Sequence, residues 1–193
     1  MLSHGHVLRL VCGCAFLQAL AAVAATDFSV VAEPRGSTVA VNARATLQVP
    51  HPVIWGTLTD YGHLSEFIPG MNSSTIIQRY GPTAIVAQRG EAGFFVFSHA
   101  INVVVASTER APGAIDIRLI RGNLKQLDGR YQIERGDRED VWVLRWMGLI
   151  EPQFSLPQFI GVPLIRSNIE DQFRGMVNEI ERRDAARRAS LTR

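Results

Sequence analysis

Residues 164–187 read LIRSNIEDQFRGMVNEIERRDAAR, and this stretch decides the fold. Ile165, Ile169, Phe173, Met176 or Val177, and Ile180 recur at three- and four-residue spacing, while Arg166, Glu170, Asp171, Arg174, Glu179 and Arg182 fill much of the remainder. The pattern predicts an amphipathic helix from about Leu164 to Arg187, roughly 35 Å long at 1.5 Å per residue. A helix of that length must bury its apolar stripe against a large partner. The chain upstream supplies only one candidate, a sheet.

Working back from the helix, Glu151–Pro163 is a proline-rich bend, and before it the period changes from helical to two. Val141–Ile150, Lys125–Glu134, Ala114–Arg121, Phe94–Ser107, Thr83–Arg89 and Ser74–Tyr80 read as strands separated by short turn segments rich in Gly, Pro, Asn and Asp. Six strands with short connections imply an antiparallel meander. Further upstream, Val39, Val41, Ala43, Ala45, Leu47 and Val49 alternate with Asn42, Arg44, Thr46 and Gln48, which marks a seventh, half-buried strand. Between the seventh strand and the meander, Val53, Ile54, Trp55 and Leu58 form one short helix after Pro52. Leu64, Phe67 and Ile68 form a second, stopped by Pro69-Gly70. The expected fold class is α+β: a seven-stranded antiparallel sheet wrapped around a long C-terminal helix, with two short helices after the first strand.

The N-terminal 25 residues stand outside this pattern. His4, His6 and Arg9 precede an apolar stretch from Leu10 to Ala25, which ends in Ala22-Val23-Ala24-Ala25. A weakly basic start, an apolar centre and small residues at the exit are the pattern of a secretory signal, with cleavage near Ala24 or Ala25. The apolar stretch is shorter than the roughly 20 residues that cross a bilayer. The expected organisation is therefore 1–25 signal peptide, 26–188 one folded domain and 189–193 a frayed basic tail, in a periplasmic or secreted protein.

Composition narrows the function. The 193 residues are 47% hydrophobic, 20% charged and 8% aromatic, with 20 basic and 18 acidic side chains. That balance offers no basic face suited to nucleic acid. Both cysteines, Cys12 and Cys14, lie in the signal segment, so the mature chain has no thiol for catalysis or a disulfide. His51, His63 and His99 lack metal-ligand spacing with carboxylates. No Gly-x-Ser-x-Gly elbow or phosphate-binding glycine loop occurs. Catalytic templates thus fit badly, no cofactor or metal is expected, and binding is favoured over catalysis.

Three stretches carry a resemblance. They are Val53-Ile54-Trp55-Gly56-Thr57-Leu58-Thr59-Asp60-Tyr61 with Leu64, Phe67, Ile68 and Pro69; Leu127-Asp128-Gly129-Arg130-Tyr131; and Glu151-Pro152-Gln153-Phe154 with Pro157 and Leu164-Ile165-Arg166. With the element order, they resemble the START-like or SRPBCC superfamily of helix-grip proteins, near the bacterial polyketide cyclase/dehydrase and coenzyme Q-binding groups. The resemblance implies an apolar tunnel between sheet and helix. That superfamily includes binders, carriers, cyclases and hydroxylase subunits, so it does not by itself choose a function.

Strand alternation and the helical stripe nominate the lining: Phe95, Phe97 and His99 on the longest strand, Leu119 and Arg121 on the next, Tyr131, then Trp142 and Trp146, with Ile169 and Phe173 from the helix. Aromatic and aliphatic walls bind chiefly by desolvation. The same stripe also reads as plain core packing, and an error of one residue in register would turn it inside out. Among phenylalanines, His99 could donate to a ligand carbonyl or act as a general base, although a structural hydrogen bond or an outward position is the plainer account of it. Arg121 could hold an anionic head group at a tunnel mouth, or pair with a surface acid. The expected ligand is a lipid, an isoprenoid quinone or a polyketide-like aromatic, carried by a monomer. A cyclase or dehydratase using the same pocket is the alternative. Transient membrane contact through the basic tail Arg182–Arg193 is a third option.

Overall fold

The computed structural model describes residues 26–94, 97–153 and 157–192. The expected export segment, Phe95 and Phe154 lie outside the described residues, as does the side chain of Phe97. Eleven elements follow one another: β1 (Thr26–Arg35), β2 (Thr38–Leu47), α1 (His51–Leu58), a single 3-10 turn (Leu64–Glu66), β3 (Met71–Tyr80), β4 (Thr83–Phe94), β5 (Phe97–Arg110), β6 (Ala114–Gly122), β7 (Leu124–Arg135), β8 (Trp142–Pro152) and α2 (Gln158–Leu191). The strands form one antiparallel sheet in the order β1-β2-β8-β7-β6-β5-β4-β3. None of the helices among the described residues is long and apolar enough to cross a membrane.

Among the described residues the sheet has eight strands where the alternation predicts seven. The additional one is β1, whose Val30-Val31 pair and Pro34 interrupt a period-two reading. It lies at the sheet edge, where a proline is tolerated because no ladder bond is required on its open side. Side-chain contacts tie it down to α2. Phe28 meets Phe173 with ring centroids 5.6 Å apart, the Arg174 guanidinium lies 4.0 Å from the Phe28 centroid, and Arg166 Nε donates to the Val30 carbonyl at 3.1 Å.

The long helix starts earlier than its apolar period suggests, at Gln158, and runs to Leu191 with Pro163 inside it. Pro163 falls in the second turn, where only one intrahelical donor is lost. Leu164, Ile165, Phe173, Met176, Val177 and Ile180 are buried against the inner face of the sheet. That face is built from Val41, Ala43, Ala45 and Leu47 of β2, Val86 of β4, Val105 of β5, Ile115 of β6, and Leu144 and Trp146 of β8. Gly175 lets the helix come close to the segment after the 3-10 turn. A Cβ there would sit 2.5 Å from both the Phe67 carbonyl oxygen and Pro69 Cδ.

An ionic clamp holds the same two segments. Arg183 Nη2 donates to Asp60 Oδ2 at 2.8 Å and its Nε to Glu179 Oε1 at 2.7 Å, while His63 Nδ1 lies 2.6 Å from Asp60 Oδ1. The expected basic tail is helical as far as Leu191, and several of its arginines are engaged: Arg182 by Glu179, and Arg187 and Arg188 by the buried Asp184.

Candidate functional site: a two-chambered cavity under the long helix

The sheet curves around α2 without filling the space between them. On the inner face, Tyr131 of β7 is opposite Trp146 of β8, and Gly129 is opposite Gly148. These two glycines provide the room into which the Trp146 indole is laid. A Cβ on Gly129 would lie 3.2 Å from Trp146 Cζ2, and one on Gly148 would lie 2.7 Å from the same atom and closer still to Cη2. The ring therefore lies along the sheet and leaves the volume above it open.

That volume is an inner chamber of about 120 Å³. Its walls are Val105 and Ser107 of β5, Ile115 and Ile117 of β6, Tyr131 and Trp146 from the sheet, and Phe173 and Met176 from α2. Leu58, Tyr61, Leu64 and Ile68 close one end. An adjoining outer chamber of about 160 Å³ is lined by Ile101, Val103, Leu124, Leu164 and Ile165, with Arg89, Glu91 and His99 among its residues. Met71, Gln88, Leu127, Ile169 and Gln172 line both chambers and so form the neck between them. Asn168 Nδ2 donates to the Gly93 carbonyl at 3.2 Å and to the Leu164 carbonyl at 2.9 Å, which fastens the end of β4 over the helix beside the outer chamber.

The chemistry of the inner chamber is neutral. None of its lining residues is acidic or basic. Burial alone pushes the Tyr131 phenol well above its ordinary pKa, with no neighbouring charge or hydrogen bond contributing. Although it lies deep in the molecule, Tyr131 keeps accessible surface, and that surface is cavity wall. Burial first, and then the nearby Glu109 carboxylate, raise the Tyr61 phenol as well. Glu109 is engaged by Arg79 Nη1 at 2.8 Å, and the Tyr61 hydroxyl is buried without a hydrogen-bond partner among the described residues. No group of three or more His, Cys, Asp or Glu side chains among the described residues is placed to share a metal ion.

Of the residues nominated from the sequence, the structure brings Tyr131, Trp146, Ile169 and Phe173 together in the inner chamber and puts His99 in the outer one. His99 is exposed and sits near the start of β5, not buried in mid-strand among aromatic rings. Leu119 packs against the core but lines neither chamber. Trp142 has the expected inward parity but lies beyond Leu144 from the cavity. There His51 of α1 meets it edge-on at 4.8 Å, and Arg135 approaches its ring at 5.3 Å. Arg121 is on the opposite face. Val105 pairs with Leu119 but Val104 pairs with Arg121, so Ile120 is a bulge that reverses the parity, and Arg121 lines a groove with Ala87, Asn102 and Val104.

Gln88, Ser107 and Gln172 were not nominated. Period-two alternation from Ala84 and Val86 puts Gln88 on the inner face, and Gln172 lies three residues from Ile169 on the helical stripe. A polar residue in register with an apolar face was the available signal.

An antiparallel sheet gripping one long helix around an apolar cavity defines a START-like helix-grip protein. A profile of the polyketide cyclase / dehydrase and lipid transport family matches residues 47–177, and the chain belongs to that family. Among solved structures, the Zhui aromatase/cyclase from Streptomyces sp. R1128 is similar at 12% identity and TM-score 0.64, over 78% of this chain and 95% of that one. A START superfamily protein from Mycobacterium smegmatis matches at 15% identity and TM-score 0.61, over 76% and 97%. A STAR-related lipid transfer protein from Xanthomonas axonopodis matches at 12% identity and TM-score 0.56, over 79% and 98%. At these identities the likeness is one of fold. Comparison with curated protein sequences finds no match.

Proposed function

We propose that the protein is an exported, monomeric binder or carrier of a hydrophobic small molecule, held between the sheet and α2. Candidate cargoes are a lipid, an isoprenoid quinone or a polyketide-like aromatic. The observation that carries this reading is the pair of adjoining cavities, about 120 and 160 Å³, under a helix that otherwise packs tightly on the sheet. A dry cavity of about 150 Å³ already accepts benzene, so the space suits a ring or a chain segment. The family's span of cyclases and lipid transport proteins is consistent with such a cargo.

Carriage is favoured over cyclase or dehydratase chemistry by what surrounds the inner chamber. The titratable side chains lining it are two tyrosines whose protons burial holds in place, and His99 is exposed in the outer chamber. Export rests on the basic-apolar-small pattern of residues 1–25. It also argues against a role in quinone chemistry inside the cell.

Native mass spectrometry of the protein recovered from the periplasm or culture medium of its own host tests both halves. The expected result is a chain beginning at Ala25 or Thr26 that carries a non-covalent apolar adduct. A full-length chain confined to the cytosol overturns export. Protein recovered without adduct and taking up no apolar probe overturns carriage.

A further inference from the structure

The cavity is apolar in most of its wall, yet five side chains with a hydroxyl or amide face it: Tyr61 before the 3-10 turn, Gln88 of β4, Ser107 of β5, Tyr131 of β7 and Gln172 of α2. The Tyr61 hydroxyl is buried without a hydrogen-bond partner among the described residues, and Ser107 is only 3% exposed. A ligand that covers such a group without offering it a partner costs about 1–3 kcal/mol, so a wholly apolar occupant of this chamber is penalised. Hydroxyls and amides both donate and accept. What satisfies such a set is a neutral oxygen, either a hydroxyl or a carbonyl.

We infer that the inner chamber selects a neutral ring compound bearing a hydroxyl or carbonyl oxygen, inserted oxygen-first toward Ser107 and Tyr131, over both the hydrocarbon of the same shape and the corresponding carboxylate. This rests on the cavity being a ligand site, as proposed above. Rejection of the hydrocarbon follows from the groups it would leave unsatisfied. Rejection of the carboxylate follows from the absence of any cationic residue in the inner wall, because an anion stripped of water there has nothing to offset its desolvation. The chamber's size matches one ring of a fused pair, with the rest of the molecule passing Gln88 and Gln172 into the outer chamber, whose lining includes the charged Arg89 and Glu91 beside His99.

Equilibrium dialysis of the intact protein against 2-naphthol, 2-methylnaphthalene and 2-naphthoate at neutral pH separates the outcomes. The three probes share a ring system and differ at one substituent. The expected result is that 2-naphthol binds at least about tenfold more tightly than either of the others. Tyr131→Phe should bring 2-naphthol and 2-methylnaphthalene to within about threefold of each other by weakening only the naphthol. Ser107→Ala should act in the same direction and guards against a folding defect in the first variant. Equal binding of 2-naphthol and 2-methylnaphthalene, or 2-naphthoate binding as tightly as 2-naphthol, overturns the inference and leaves the apolar-ligand reading standing. If none of the three binds, the ligand reading itself falls.

Discussion

Trp146 owes its orientation to residues that have no side chain. With Gly129 and Gly148 opposite each other on β7 and β8, the indole can lie on the backbone, and the space above it becomes the inner chamber. A single methyl group at position 148 removes that option. The indole is rigid, so in Gly148→Ala it must turn away from the sheet and into the chamber. The expected cost is about 1–3 kcal/mol in urea unfolding, together with loss of 2-naphthol uptake. Pairing it with Trp146→Phe should restore much of both, because the smaller ring clears the new methyl. A single variant with unchanged stability and unchanged uptake would show that the indole does not depend on the two glycines.

At the scale of elements, the segment between α1 and β3 is tied to α2 by Arg183, which bridges Asp60 and Glu179, in addition to its packing on the helix. Burial alone would raise the Asp60 carboxyl, but hydrogen bonds from His63 and Arg183 outweigh it and hold the group below its usual range. Glu179 is lowered by Arg182 first, against its own burial, and then by Arg183. Carboxylates with depressed folded-state values contribute stability above their unfolded pKa, about 4, and lose it as pH falls through the folded one. The His63 imidazole, raised by Asp60, works the other way: its pairing contributes below about 6.5 and fades as pH rises through its folded value. Arg183→Gln should therefore cost on the order of 1–2 kcal/mol at neutral pH, with the gap from wild type narrowing as pH falls below about 4. A gap that is constant across a chemical-denaturation series in pH would assign the loss to the Arg183 guanidinium lying over Phe67, 5.4 Å from its ring centroid, instead of to the ion pairs. The elements also show what the sequence could disclose. Strands β2 to β8 and the body of α2 were legible because each buries one face, and burial imposes a period. β1 was not, because an edge strand needs little alternation, and the start of α2 was masked by Pro157 and Pro163. The same limit governs the site: Tyr131 and Trp146 follow from strand parity and Ile169 and Phe173 from the helical spacing, whereas Arg121 is displaced by one bulged residue, Ile120, that no local pattern announces.

For the molecule as a whole, the question is whether the gap between sheet and helix is a ligand site or merely loose packing. Filling it distinguishes the two. Ile169 lines both chambers from the helix and Leu127 lines both from the sheet, so a phenyl ring at either position occupies the neck. If the space is a genuine cavity, Ile169→Phe and Leu127→Phe should stay within about 1 kcal/mol of wild type in the absence of ligand, since there is room for the added atoms. The ligand response should then separate variant from wild type. A ligand present at 100 times its Kd adds about 2.7 kcal/mol to the native state. For a chain of this length that corresponds to a rise in Tm of roughly 5–10 °C. The wild type should show that rise with 2-naphthol and both filled variants should lose it. Destabilisation of both unliganded variants by more than about 3 kcal/mol would mean that the neck is already packed. An undiminished rise in Tm would place the binding site elsewhere on the protein. Because the two substitutions approach the neck from opposite layers, a shared loss of response with unliganded stability retained is the result expected only of a space enclosed between them.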